Sequence, residues 1–186
     1  VNGFDLTTRT VKWQRNIGIT TSIAYSDMAL DGNQLFVRGP NGYLSAINKM
    51  TGTVNWTKPA YLAPICANNK VYSYNYDYKI YSLDPATGNV ITQFNPNLGV
   101  GTTPFVDGTT LYVSSATPAN PTSTYFIASY NAETGAEKWR KDVGVYYDGP
   151  VVAGSKIYAI NSLAASNPTL YTLKSFNVNY GDVIDS

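Results

Sequence analysis

Histidine is absent from the 186-residue sequence, and cysteine occurs only once, at Cys66. Without histidine, these residues cannot form a Ser-His-Asp triad, a Cys-His pair or a histidine-ligated zinc site. A single cysteine also excludes an intrachain disulfide and a cysteine-based metal cluster. The two absences remove the most familiar hydrolase and zinc chemistries from the functions to consider.

Charge is scarce as well: charged residues make up 13% of the sequence, and the formal net charge is +1. This balance offers no argument for nucleic-acid binding, which generally needs a basic patch or stripe. No apolar run approaches the roughly 18 residues that would indicate a membrane-spanning helix. We therefore expect neither a nucleic-acid partner nor a membrane span in this chain.

Tyrosine is the residue in excess, with 16 copies. Together with many Asn, Thr and Ser residues, this favours strands joined by polar turns, because aromatic and β-branched side chains suit a pleated surface. The low Lys and Glu content is also typical of secreted or cell-surface proteins. We accordingly expect an extracellular or cell-surface location, or a periplasmic one in a Gram-negative organism.

One nine-residue motif recurs along the chain at intervals of 36 to 47 residues. Its five copies begin at Asp5, Asn48, Asp84, Asn131 and Asn177. The clearest copies have Thr-Gly at the fourth and fifth positions and Trp at the ninth. All three tryptophans of the chain fall in that ninth position: Trp13, Trp56 and Trp139. Departures from the pattern include Arg9 in place of Gly, and Thr92 and Asp185 in place of Trp, and the fifth copy is degenerate.

Two further patterns keep step with this motif. Four apolar triplets, each after an Asn, Asp or Gly turn, occupy residues 35–37, 71–73, 111–113 and 157–159. In three copies a short proline-led segment precedes the triplet, at Pro64, Pro104 and Pro150. Each unit therefore predicts four short strands: a proline-led inner strand, the triplet strand, a third strand and an outer strand carrying the Trp. Units of this length with four strands are typical of β-propeller blades.

The pattern Ala/Ser-x-Asp/Asn-x-x-Thr-Gly-x-x-x-Trp resembles the tryptophan docking motif of the PQQ-like, or quinoprotein-type, β-propeller repeat family. The resemblance covers nearly the whole chain. It implies an all-β propeller of four-stranded antiparallel blades in which each Trp packs between neighbouring blades. The structural docking motif that it predicts consists of Trp13, Trp56, Trp139, Gly52, Gly88 and Gly135.

The repeat divides the single domain, residues 1–186, into a partial unit, 1–13, and four blade units, 14–57, 58–93, 94–140 and 141–186. Val1 aligns with Leu44, so the chain begins inside a third strand, and it ends after an outer strand. Known members of the family commonly have seven or eight blades. We therefore expect about four blades of a larger propeller, with a small closed four-blade ring as the alternative.

The second unit contains a run of alternating tyrosines: Tyr72, Tyr74, Tyr76 and Tyr78. On an unbroken strand they would form one aromatic face that could bind a sugar or stack on another ligand. The repeat predicts a turn near Asp77, however, so packing between blades is the preferred interpretation. Tyr146 and Tyr147 form a weaker candidate of the same kind.

Two features predict exposed surface. Residues 116–122 and 163–168 lengthen the turn between the second and third strands of the last two units, on a face where propellers commonly bind partners. The tripeptide Asn55-Trp56-Thr57 is the only N-glycosylation sequence, because the other Asn candidates are followed by Pro. Asn55 is therefore a possible glycosylation site, with a chance match as the alternative.

Other candidate residues are better explained by structure than by chemistry. Cys66 lies in an apolar strand, which favours a buried core residue over a reactive thiol. Gly99 and Gly101 lack the third glycine and the following helix of a nucleotide-binding loop. Three aspartates fit turns better than calcium ligands, because no loop has the ligand spacing of a known calcium site: Asp31, Asp107 and Asp148.

The family resemblance also raises a catalytic interpretation. Enzymes of this family hold PQQ with a calcium ion, a stacking Trp, a catalytic Asp and often a disulfide of adjacent cysteines. This sequence has one cysteine, and its three tryptophans are assigned to docking positions. We therefore expect no catalytic, cofactor-binding or metal-binding residues, and an enzymatic role is not favoured.

The leading hypothesis is a non-catalytic β-propeller scaffold or binding module that presents loops to a protein or glycan partner. One alternative is a fragment of a PQQ-dependent quinoprotein oxidoreductase whose cofactor residues lie outside this chain, with PQQ and calcium as cofactors. The other is a structural subunit of a surface layer or filament that self-associates through exposed blade faces or edges.

Overall fold

The computed structural model describes residues 1–18, 27–97, 102–116, 124–145, 148–162 and 171–185. All regular secondary structure in these residues is β-strand, arranged as one two-stranded and four four-stranded sheets. Within these ranges, no helix is long and apolar enough to cross a membrane. The chain divides into two compact units, Val1–Gln93 and Phe94–Ser186, each with its own sheets.

The first unit begins with a hairpin and continues with two four-stranded sheets. The hairpin consists of β1 (Asn2–Asp5) and β2 (Thr10–Gln14). The next sheet contains β3 (Asp27–Asp31), β4 (Gln34–Arg38), β5 (Tyr43–Asn48) and β6 (Val54–Pro59). The following sheet contains β7 (Ile65–Ala67), β8 (Lys70–Tyr74), β9 (Ile80–Leu83) and β10 (Val90–Phe94), whose last residue begins the second unit.

The second unit contains two further four-stranded sheets. One consists of β11 (Phe105–Asp107), β12 (Thr110–Ala116), β13 (Tyr125–Asn131) and β14 (Glu137–Asp142). The other consists of β15 (Val151–Ala153), β16 (Lys156–Ser162), β17 (Tyr171–Asn177) and β18 (Val183–Asp185). Every strand pairs with its successor in the same sheet, and this meander order confirms the predicted all-β class of four-stranded antiparallel sheets.

The apolar triplets lie on the second strand of each four-stranded sheet, and their burial explains their composition. On β12, for example, Leu111 and Val113 are both fully buried. Middle strands that are covered on both faces read as continuous apolar runs, whereas strands with one solvated face alternate. In each unit the core lies between its two four-stranded sheets, as shown by the packed groups Phe36, Leu44, Val71 and Leu83, and Tyr112, Ile127, Ile157 and Phe176.

A β-bulge shifts the register between the third and outer strands just beside each tryptophan. On β6, Trp56 pairs with Ala46 but Val54 pairs with Ile47, so Asn55 is the extra residue. The same shift occurs where Trp13 pairs with Gly3, and where Trp139 pairs with Ser129. Bulges re-aim side chains. The residue paired with each tryptophan on the neighbouring strand is small, which leaves room for the indole ring: Gly3, Ala46 and Ser129.

Candidate functional site

Each tryptophan lies against a glycine in the next copy of the motif. A Cβ atom added to Gly52 or Gly88 would come within 2.7 Å of the ring of Trp13 or Trp56, respectively, and one on Gly181 would come within 2.5 Å of Trp139. The indole nitrogens donate hydrogen bonds of 2.9 Å to the backbone carbonyls of the same copies, at Lys49, Pro85 and Val178. A ring contact and a hydrogen bond thus recur together at three sheet contacts.

Glycine is required at this position for two separate reasons. Gly52 and Gly88 both have φ of +71°, a left-handed conformation that side chains disfavour. The indole ring also occupies the space where a Cβ atom would lie. The Thr-Gly pair of the motif therefore combines a tight turn with a flat surface for the aromatic ring.

Gly135, the third glycine of the predicted docking motif, packs against Phe94 rather than against a tryptophan. Thr92 occupies the Trp position of the preceding copy, which begins at Asp84, and Phe94 lies two residues further along β10. Side chains two residues apart point to the same face of a strand. Phe94 therefore replaces the missing ring, a contact that the motif alignment did not predict although the alternation of β10 could have indicated it.

Polar contacts surround the Phe94 ring. It packs at 5.7 Å from the ring of Tyr130, whose hydroxyl accepts a 2.8 Å hydrogen bond from Arg140 Nη2. The same nitrogen donates to the Pro96 carbonyl at 3.1 Å and pairs with Glu137 Oε2 at 2.7 Å. Hydrogen bonding from Arg140 lowers the pKa of Glu137 below its ordinary value.

The first residue of each motif copy closes the turn with its side chain. Asn48 Oδ1 accepts backbone hydrogen bonds from Met50 and Thr51, and Asn131 Oδ1 does the same for the corresponding two residues. Asp5 and Asp84 occupy the same position as carboxylates, and backbone hydrogen bonds lower the pKa of both. Short Asx side chains stabilise such turns, which explains the Asp/Asn preference of the motif.

Four tyrosines of the first unit are considered together as a cluster. We define this tyrosine cluster as Tyr61, Tyr74, Tyr76 and Tyr78. The Tyr61 ring lies 6.2 Å from the Tyr74 ring and 5.0 Å from the Tyr76 ring, and the Tyr61 amide donates to the Tyr74 carbonyl. Tyr61 follows β6, whereas the other three belong to β8 and the turn after it, so only the folded chain brings them together.

The predicted turn that interrupts the tyrosine ladder is confirmed. The Asn75 amide donates to the Lys79 carbonyl, and the Tyr78 amide donates to the Asn75 carbonyl. Tyr72 and Tyr74 are buried on β8, whereas Tyr76 and Tyr78 are exposed beyond it. The alternating run therefore separates into a buried half and an exposed half, and Tyr76 of the exposed half contacts Tyr61.

Burial and nearby groups act together on the Tyr74 hydroxyl. Desolvation, followed by the effects of Tyr78, Tyr61 and Asp77, raises the pKa of Tyr74 to about 12. Its oxygen has no hydrogen-bond partner among the described residues. Asp77 itself accepts a 2.6 Å hydrogen bond from the Tyr81 hydroxyl and lies 3.7 Å from Lys79 Nζ.

The other sequence candidates are separate from this cluster. Cys66 packs against the core of the first unit, and burial raises the pKa of its thiol to about 12, which disfavours the reactive thiolate. Asn55 is exposed on β6, where its amide contacts Gln34 Oε1 at 3.3 Å. Three candidates lie outside the described residues: Tyr146 with Tyr147, the 99–101 glycine segment, and nearly all of the two long loops.

The three aspartates considered as calcium ligands do not come together. Asp31 lines a cavity of about 270 Å³ with one other carboxylate, that of Asp84. Asp107 is exposed at the end of β11, and Asp148 accepts a hydrogen bond from the Gly149 amide. In the part of the chain that the structure describes, no three His, Cys, Asp or Glu residues are grouped to hold a metal ion.

The described residues therefore do not fit the calcium and quinone arrangement that the family resemblance raises. The rings of Trp13, Trp56 and Trp139 contact docking glycines. The cysteine of the chain is single and half-buried. We assign no reaction step through a quinone to these residues.

The fold is shared with solved structures of low sequence identity. The quinohemoprotein alcohol dehydrogenases of Pseudomonas putida HK5 (ADHIIG) and Comamonas testosteroni both superpose with a TM-score of 0.66, at 14% and 17% identity. They cover 84% and 85% of this chain, which spans about a third of their length, 33% and 34%. BamB from Moraxella catarrhalis superposes with a TM-score of 0.53 at 15% identity, over 98% of this chain and 68% of its own.

No curated protein matches the sequence. A family model described as outer membrane protein assembly factor BamB does match it, over residues 1–96 and 77–175. These ranges include every copy of the docking motif except the last, and the solved structures share the four-stranded sheets of the β-propeller fold. The chain belongs to the BamB family of PQQ-like β-propeller repeats.

Proposed function

We propose that this chain is a non-catalytic β-propeller scaffold that presents loops and turns to a protein or glycan partner. The observation that carries the proposal is that the tryptophans and the cysteine make structural contacts while several tyrosines are exposed. The tryptophans contact docking glycines and Cys66 packs into the core, whereas several tyrosines are exposed in one cluster. The groups that would serve redox chemistry are occupied by structural contacts, and the exposed aromatic groups are suited to recognition.

The family supports an extracytoplasmic location. Its description names an outer membrane protein assembly factor, and BamB carries the same repeats. The low charge and high tyrosine content of this chain agree with a periplasmic or cell-surface setting. We infer that the chain acts there through binding.

A redox assay tests the scaffold proposal directly. The purified chain is incubated with PQQ and calcium, then supplied with ethanol and an artificial electron-accepting dye. We expect no dye reduction above the rate of free PQQ and calcium. Alcohol-dependent dye reduction that requires the protein would overturn the scaffold proposal.

The second candidate function is part of a quinoprotein oxidoreductase. The superposition on two quinohemoprotein alcohol dehydrogenases favours it, since this chain corresponds to about a third of each. Under this hypothesis the cofactor-binding residues belong to sequence beyond the 186 residues. Adding the neighbouring sequence of the natural gene product to the same assay would then produce dye reduction.

A third candidate is a structural subunit that associates through sheet faces. One face of the β15–β18 sheet exposes apolar side chains, and its pairing places Ile160 opposite Leu173. Exposed apolar patches commonly mark association sites. Light scattering after size-exclusion chromatography would support this function if the wild type forms large assemblies that Leu173→Lys disperses.

A further inference from the structure

The exposed part of the tyrosine cluster is not explained by the core or by the docking contacts. Tyr61, Tyr76 and Tyr78 keep 41%, 57% and 55% of their surface exposed. The Tyr61 and Tyr76 rings meet edge to face, an arrangement that orients both. The Tyr76 hydroxyl also approaches Gly42 so closely that a Cβ atom there would lie 2.7 Å from it. The Tyr61 and Tyr76 rings are therefore held in a defined arrangement on the surface of the first unit, and the exposed Tyr78 lies in the same turn as Tyr76.

The backbone at Tyr78 shows that this residue is present despite a conformational penalty. Turns 39–43 and 75–79 are equivalent, because backbone hydrogen bonds join their first and fifth residues and their fourth and first residues. The fourth residue is Gly42 in one turn and Tyr78 in the other, with φ of +77° and +62°. Glycine adopts this left-handed conformation freely, whereas a bulky residue is strained there. The side chain of Tyr78 therefore has a role that a glycine turn would not supply.

A second observation is the buried hydroxyl of Tyr74, next to the exposed rings. Its side chain is 1% exposed, and its hydroxyl has no partner among the described residues. Its ring lies 6.2 Å from that of Tyr61, and Tyr78, Tyr61 and Asp77 add to the effect of burial that raises the pKa of Tyr74. Buried hydroxyls are usually hydrogen-bonded, and an unpaired one destabilises the fold. A water that bridges this hydroxyl to the cluster would supply the missing hydrogen bond.

We propose that the tyrosine cluster binds a neutral oligosaccharide by stacking on Tyr76 and Tyr78, with Asp77 as a hydrogen-bonding partner. The proposal rests on the binding-module function and names its ligand class. The faces of aromatic rings carry negative charge density, which attracts the C–H groups on the face of a sugar ring. Asp77 and Lys79 form an ion pair, so the site offers hydrogen-bonding groups without net charge.

A proline-rich peptide is the competing occupant of an aromatic surface. Such peptides dock into grooves lined by aromatic side chains. Here the exposed Tyr76 and Tyr78 alternate along one turn with the polar residues Asn75, Asp77 and Lys79. Polar groups beside exposed ring faces match the hydroxyls of a sugar better than the apolar edge of a proline helix.

Titration of the 186-residue chain with cellohexaose, maltohexaose, mannohexaose and a proline-rich decapeptide tests the proposal. Isothermal titration calorimetry measures the affinities, and tyrosine fluorescence provides a second signal. We expect saturable binding of at least one hexasaccharide and none of the peptide. Tyr76→Ala is expected to weaken that binding at least tenfold. Tyr180→Ala, at an exposed tyrosine of the last turn, is the matched control and leaves the affinity unchanged.

Tyr78→Gly separates binding from folding. This variant recreates the Gly42 turn, so its thermal midpoint should equal or exceed that of the wild type, whereas its hexasaccharide affinity should fall at least tenfold. The proposal is overturned if no hexasaccharide binds, if the decapeptide binds instead, or if Tyr78→Gly and Tyr76→Ala bind as the wild type does. These failures are distinct from failure of the scaffold function, which only protein-dependent dye reduction would indicate.

Discussion

The contact at Trp56 in the first unit and the contact at Phe94 in the second place an aromatic ring on a motif glycine in the same way, with different residues. At the first contact the ninth residue of the motif is Trp56 and the residue two positions later is Lys58; at the second the pair is Thr92 and Phe94. In both cases an aromatic ring covers a motif glycine, Gly88 or Gly135. The face of the outer strand, rather than one position on it, therefore determines which side chain reaches the glycine.

The two contacts differ in their hydrogen bonds. Trp56 donates its indole N–H to the Pro85 carbonyl, whereas phenylalanine has no donor. Beside Phe94, Arg140 and Tyr130 both donate to the Pro96 carbonyl. A tryptophan thus combines ring packing and polar anchoring in one residue, whereas the Phe94 contact divides them among several side chains.

Truncation of the two rings is expected to give the largest effect. Trp56→Ala removes the contacts with Gly88 and Phe36 together with the hydrogen bond to Pro85, and should lower the free energy of unfolding by about 4 kcal/mol. Phe94→Ala should cost less, because the Arg140 contacts do not depend on the ring. Urea denaturation of both variants measures the difference. Equal losses would show that the two contacts are energetically equivalent.

Alanine at the docking glycines should have the next largest effect. Gly88→Ala combines a left-handed φ with a clash against the Trp56 ring, for an expected loss of about 2 to 3 kcal/mol. Gly108→Ala is the matched control: its φ is +52°, but no atom lies within 4 Å of the added Cβ. The control should lose only about 1 kcal/mol, the conformational part. If both variants melt at the same temperature, the ring contact contributes nothing.

Local patterns allowed the sequence to predict the sheets, because turn residues, apolar triplets and the docking motif all repeat in step. Trp13 and Gly52 could likewise be named from the motif alone. Phe94 could not be named from the motif alone, since the alignment assigns the ring to the ninth position and Phe94 lies two residues beyond it. The partnership of Tyr61 with Tyr76 was beyond prediction for a similar reason: it joins two loops through tertiary packing.

The strained turn at Tyr78 could be predicted from the sequence only in part. Its backbone conformation could have been inferred by aligning residues 75–79 with 39–43, where the fourth residue is Gly42. Such an alignment predicts a left-handed residue, but it does not predict exposure of the ring or its neighbours. The exposure and the neighbours of the Tyr78 ring depend on tertiary packing, because Tyr61 belongs to the segment between β6 and β7 and Tyr78 to the turn after β8.

Trp56→Phe isolates the polar half of the Trp56 contact. The ring still covers Gly88, but the Pro85 carbonyl loses the indole donor and keeps only its 2.8 Å hydrogen bond from Gln34 Nε2, so the expected loss is about 1 kcal/mol. Trp139→Phe should lose a similar amount, because its indole makes the same bond to the Val178 carbonyl. Chemical denaturation at neutral pH checks both. A neutral effect at either site would mean that water replaces the indole donor without cost.

The smallest expected effect concerns the charge of the turn residue that begins each motif copy. Hydrogen bonds from Thr87 lower the pKa of the exposed Asp84 carboxyl, so its charged form is stabilised by folding. That stabilisation is complete above the ordinary aspartate pKa of about 4 and is lost as the pH falls through the lower folded value. Asn48 serves the same turn without a charge. Asp84→Asn should therefore match the wild type at pH 7 and lose less stability on acidification, whereas Asn48→Asp should lose more. Thermal midpoints between pH 2 and pH 7 measure both slopes, and identical slopes for the three proteins would show that charge at this position is irrelevant to the turn.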